Sequence, residues 1–147
     1  MPTAAKLIAA ILFAALAYYV SEQVKLVLPS EGAGATMLSP TNALFGAIMG
    51  WRVMGSNAGQ GFVPATGFGL TTVFAATFWC ILIWSAYEMI KRAMRGRFDG
   101  PIEALLGMSD LMLDYAALIV TPAVVGSAVI GSFICAMVVE FFSHRWS

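Results

Sequence analysis

Phe62–Tyr87, FVPATGFGLTTVFAATFWCILIWSAY, runs for 26 residues without a single charge. A hydrophobic core crossing takes about 20 residues of α-helix, so this stretch is long enough to span a bilayer. Pro64, Gly67 and Gly69 fall in its first turns, where they disturb a helix least. Directly after it stands Glu88–Arg97, EMIKRAMRGR, with Lys91, Arg92, Arg95 and Arg97 within seven positions. Such a cluster beside a span marks the cytoplasmic side. The reading is therefore a helix over 62–95 whose carboxyl end lies in the cytoplasm.

The same logic extends in both directions. Toward the amino terminus, Leu7–Val20 is apolar apart from the hydroxyls of Tyr18 and Tyr19, and a helix over 4–28 is expected. A cleaved signal peptide with Ala15–Leu16–Ala17 at the cut is the competing reading; the tyrosines as interfacial anchors and the helical pattern beyond the cut weigh against it. Ser30–Pro40, with Gly32 and Gly34, reads as a loop. A second helix over 41–55 carries Gly46 and Gly50 at GxxxG spacing and ends in Trp51–Arg52. At this length it is short for a full crossing, so it either thins the bilayer locally or is re-entrant. Ser56–Gly61 is a flexible turn.

Toward the carboxyl terminus, Phe98–Asp99–Gly100–Pro101 breaks the third helix. Residues 101–120 then place Glu103, Gly107, Asp110 and Asp114 at intervals of four, three and four. This is one narrow acidic stripe on an otherwise apolar helix, the pattern of an amphipathic element lying in the cytoplasmic interface. A last span over 122–142 carries small residues at Gly126–Ser127, Gly131–Ser132 and Ala136, spaced for helix packing. The tail to Trp146 reads as an interfacial anchor.

Composition agrees with this pattern. The 147 residues are 60% hydrophobic and 11% charged, with a mean hydropathy of +0.84. Soluble domains carry about 25% charged residues. The fold expected is an all-α integral membrane protein, one membrane domain over 1–147. It has about four transmembrane helices, one of them short or re-entrant, and a cytoplasmic-side interfacial helix. With segment two spanning, both termini lie outside; with it re-entrant, the amino terminus lies inside. Either way 91–97 is cytoplasmic.

The opening MPTAAKLIAA (1–10), the central GWRVMG (50–55) and YEMIKRAMRGRFDGPIEAL (87–105) resemble the TrgA family. These are small bacterial inner-membrane proteins linked by name to tellurite resistance. The resemblance implies an inner-membrane location and a phenotype, without catalytic residues to carry over.

Chemistry in the chain is sparse. A formal net charge of zero leaves no footprint for nucleic acid. The single histidine, His144, has no Cys or His nearby, and neither a phosphate-binding glycine motif nor a Ser–His–Asp set is present. No CxxCH occurs, so covalent haem is excluded, and one histidine excludes paired-His haem. No metal or cofactor is expected, nor an enzymatic activity. Cys80 and Cys135 should differ in depth by roughly 9 Å at 1.5 Å per residue, too far for a disulfide. The methionines, Met49, Met54, Met108 and Met112 among them, read as packing rather than copper ligands. Glu88 and Glu140, near span ends, read as snorkelling or paired.

Two sets remain as candidate contacts. Arg52 beside Trp51, next to a glycine-lined helix, could attract an oxyanion. Glu103, Asp110 and Asp114 could face a cation or a basic partner. Gly46, Gly50, Gly126, Ser127 and Gly131 are expected to pack helices, against one another or against a protein partner or second copy. Three roles fit these features, in this order: a tellurite-resistance-type membrane protein, an accessory subunit of a respiratory or photosynthetic membrane complex, and a small oligomeric transporter.

Overall fold

A computed structural model of the chain describes residues 3–27, 33–96 and 100–145. Among them helix is the regular structure throughout: α1 (Thr3–Val27), α2 (Ala33–Met49), α3 (Phe62–Met94), α4 (Pro101–Ile119) and α5 (Pro122–Arg145). A π-helical turn, Gly50–Met54, continues α2 without a break. Pro29 and Ser30, Arg97, the Phe98–Asp99 break and the Trp146 anchor lie outside the described residues.

Three helices are long and apolar enough to cross a membrane: Ala4–Val27, Phe62–Met94 and Pro122–Arg145. What they bury is as telling as their length. The buried positions are dominated by small side chains: Ala5, Ala9, Ala65, Ala76 and Ala136, with Ser21, Ser39, Thr72, Ser85 and Ser132. Large apolar side chains such as Leu7, Ile11, Phe74, Ile130 and Phe133 point outward. A soluble bundle does the reverse. In lipid there is no hydrophobic drive between helices, so backbones that approach over small residues gain the packing, and Phe or Ile faces acyl chains at no cost.

The sequence reading starts the second helix at Thr41 and leaves 30–40 as a loop. The structure corrects this: α2 begins at Ala33, with Pro40 inside it. Proline removes one backbone donor and crowds the preceding turn. Here that turn is held from outside, because the Ser39 hydroxyl donates to Glu22 Oε1 at 2.6 Å and Leu38 is buried. Helix and π turn together are about 33 Å long at 1.5 Å per residue.

α1 and α2 form an antiparallel hairpin along their whole length. Glu22 meets Ser39 and Ser21 meets Asn42 at one end; Ala17 and Phe13 face Gly46, Ala9 faces Gly50, and Lys6 faces Gly55 toward the other. α5 runs antiparallel to α1, with Leu16 against Gly131 and the Cys135 thiol 3.8 Å from the Leu12 carbonyl. It also runs antiparallel to α3, where Gly69 sits on Ala136 and Ser132. α2 closes the ring onto α3 through Asn42 and Trp84. The result is a four-helix ring around Ala9, Phe13, Met54, Ala65, Cys135, Ala136 and Val139. α4 packs on α3 and brings Tyr115 and Ile119 beside Cys80, Ile81 and Trp84.

Candidate functional site

The π turn creates the first candidate. The Gly55 N–H donates to the Gly50 carbonyl, five residues back, at 2.8 Å. One extra residue in a turn rotates what lies within it. Gly50 and Met54 stay buried, whereas Trp51 and Arg52 turn outward. The two line an open groove with Ala10, Ala47 and Ile48. The Arg52 guanidinium makes no hydrogen bond or ion pair with any described residue. Its carbonyl accepts from the Ser56 hydroxyl, and the Asn57 amide donates to the Val53 carbonyl at 2.7 Å, so side chains cap the turn's free end. Such π insertions are frequent at functional sites.

A second polar centre was not legible in the sequence. The Glu140 side chain is fully buried. Oε2 accepts the Gly59 N–H at 2.9 Å and Oε1 the Gly61 N–H at 2.7 Å, while His144 Nε2 stands 3.1 Å from Oε1. Gly59 and Gly61 have φ of +95° and +105°, a backbone that residues with a Cβ rarely adopt. It lets two nearby amides converge on one carboxylate. Of the alternatives read from sequence, Glu140 is the paired one and does not snorkel to water.

The third centre crosses α1, α2 and α3. Trp84 Nε1 donates to Asn42 Oδ1 at 3.0 Å, Asn42 Nδ2 donates to Ser21 Oγ at 2.9 Å, and the Ser21 hydroxyl donates to the Ala17 carbonyl at 2.7 Å. The Glu22 carboxylate takes both Ser39 and, at 2.8 Å, Lys25. Asn42→Leu should leave the Trp84 N–H without an acceptor and cost about 1 kcal/mol. A thermal melt in detergent, read by tryptophan fluorescence, checks it.

On α4, Glu103, Asp110 and Asp114 are all exposed. Asp110 and Asp114 have no ion-pair partner among the described residues. Lys91 and Arg92 are instead turned to Glu88, at 3.5 and 3.6 Å. Tyr115 beside them is pushed up in pKa, first by burial and then by the Glu88 charge. No three His, Cys, Asp or Glu side chains among the described residues converge as a metal site. Both cysteines are free thiols.

The five small-residue positions separate. A Cβ on Gly46 or Gly50 would strike the α1 backbone, and one on Gly131 would strike the Leu16 side chain; one on Gly126 would meet nothing within 4 Å. Ser127 bonds within its own helix, to the Val124 carbonyl at 3.0 Å. Among the described residues, Gly126 is thus not a packing contact.

Comparison with protein-family models, with curated proteins and with solved structures finds no match for this chain.

Proposed function

We propose that this chain is a non-enzymatic, multi-pass protein of the bacterial inner membrane that acts on an oxyanion, in the sense its resemblance to the TrgA family implies for tellurite. The observation that carries the reading is Arg52: a guanidinium without a partner among the described residues, beside Trp51 in an open groove on a π turn. Arginine presents a planar fork of donors that fits an oxyanion, and its weak hydration favours use at a membrane edge.

Topology supports it. α2 and its π turn follow α1 over its length, which favours four crossings, by α1, α2, α3 and α5, with α4 at the interface. Lys25, Lys91, Arg92 and Arg95 then fall on one side, and Lys6, Arg52 and Arg145 on the other. The richer side is cytoplasmic. Arg52 faces the periplasm, where an incoming oxyanion arrives first.

Arg52→Gln should lower tellurite tolerance at unchanged protein level, and Arg52→Lys should retain part of it. The measurement is growth on graded tellurite with the protein quantified in membranes. Full tolerance in Arg52→Gln cells would remove the proposal. A second reading, an accessory subunit of a respiratory or photosynthetic membrane complex, is favoured by α4, whose exposed Leu106 and Leu113 flank Asp110 and Asp114. A stoichiometric large partner after gentle extraction, lost in an Asp110→Asn/Asp114→Asn variant, would select it.

A further inference from the structure

The last turns of α5 join a buried carboxylate to a titratable side chain that water reaches. Glu140 accepts the Gly59 and Gly61 amides, and His144 Nε2 stands 3.1 Å from its Oε1, one helical turn on. The histidine side chain is 56% exposed and the glutamate side chain 0%. Phe62, the first residue of α3, flanks the imidazole with ring centroids 6.1 Å apart. A proton can therefore arrive from water at the imidazole and change the charge beside a carboxylate that water does not touch.

The charges around the pair are few. α5 adds Arg145, next to His144. α1 brings Lys6, whose Cα and Cγ lie against Gly55, and the π turn brings Arg52, turned outward. α3 presents Phe62 and carries no charge over 62–87. Among the described residues Glu140 is the one carboxylate at this end. Glu22 and Glu88 lie toward the Trp84 end, and Glu103, Asp110 and Asp114 on α4. Of these residue types, histidine is the one whose charge ordinarily changes between about pH 5 and 8.

The loop can pass such a change on. The Ser56 hydroxyl donates to the Arg52 carbonyl, the Asn57 amide to the Val53 carbonyl and the Asn57 N–H to the Met54 carbonyl. Segment 55–61 is thus bonded to α5 on one side and to the π turn on the other. An imidazolium donates to a carboxylate with the added attraction of opposite charge, which a neutral imidazole lacks. The grip of α5 on the loop is therefore stronger with His144 protonated.

We propose that His144 and Glu140 form a proton-sensitive latch, which tightens segment 55–61 and the attached π turn when His144 takes up a proton. In the topology proposed above this end faces the periplasm, so the proton comes from outside the cytoplasm. The latch does not depend on the oxyanion reading of Arg52.

The test is hydrogen exchange of the full chain in detergent micelles, with rates corrected for the intrinsic pH dependence of exchange. It is read at the Gly59 and Gly61 amides and at Gly55, whose N–H closes the π turn. Protection should be about threefold greater at about pH 5.5 than at about pH 8, the scale of a partly exposed ion pair. His144→Gln keeps a donor without the titrating charge, so its protection should be the same at both pH values. His144→Lys carries a fixed positive charge and should keep at the higher pH the protection that wild type shows at the lower. Arg145→Gln should leave the slope in place. A flat wild type, or a slope that persists in folded His144→Gln, overturns the proposal. Should His144→Gln not fold, a slope in His144→Lys overturns it equally. A slope at Gly59 and Gly61 without one at Gly55 overturns the transmission to the π turn.

Discussion

Glu140→Ala is expected to destabilise the protein by about 3 kcal/mol, because two buried backbone donors lose their acceptor and each unsatisfied group costs about 1–3 kcal/mol. For a chain of this size that corresponds to a fall of about 10 °C in Tm. The loss is local in origin. The carboxylate holds the Gly59 and Gly61 amides, hence the segment that turns the chain from the π turn into α3. Hydrogen exchange at these two amides should accelerate by about two orders of magnitude. Glu140→Gln keeps one acceptor but points an amide donor at the other N–H, so it should lie between wild type and alanine. An alanine variant that melts with wild type, its Gly59 and Gly61 amides still protected, would mean that the carboxylate does not hold the loop.

The clasp also marks where sequence reading stops. The charge-free run 62–87 and the basic cluster after it are local signals, and span length is obtained from them by counting. Glu140 itself shows as a charge near the end of an apolar run, but its donors are 79 and 81 positions away. Only the paired glycines of Ser56–Gly61 hint at a carboxylate acceptor. The start of α2 was hidden for a different reason. Gly34 and Pro40 break helices in water, where the chain can hydrogen-bond elsewhere. Against α1, with Ser39 tied to Glu22, the helix is the better solution. The outward turn of Arg52 depends on an inserted residue with no compositional signature. Arg52 could be singled out as a residue, while its lack of a partner could only be seen in three dimensions.

Glycine spacing gives the second large effect, because it separates positions that look alike in sequence. Gly46, Gly50 and Gly126 all sit in small-residue patterns. A Cβ on Gly50 would lie 2.6 Å from the Ala9 carbonyl oxygen and 2.9 Å from Phe13 Cβ; on Gly46 it would lie 2.5 Å from the Phe13 carbonyl oxygen and 2.7 Å from Ala17 Cβ. The obstacles are backbone and Cβ atoms, so relief requires the helices to part. Parting them pulls Ala9 and Phe13 from the cluster they share with Cys135 and Ala136. Gly50→Ala and Gly46→Ala should therefore cost about 2–3 kcal/mol each, in the range of an overpacked core, and Gly50→Leu should prevent folding. At Gly126 nothing stands within 4 Å, and alanine is the better helix former by about 0.5–1 kcal/mol, so Gly126→Ala should be neutral or stabilising. Gly131→Ala should fall between, since its obstacle is the movable end of Leu16. Thermal unfolding of the four alanine variants in one detergent tests the ranking. Equal stability of Gly50→Ala and Gly126→Ala would contradict the close α1–α2 contact. The predicted order would tie the fold to two glycines whose requirement is set by the opposite helix.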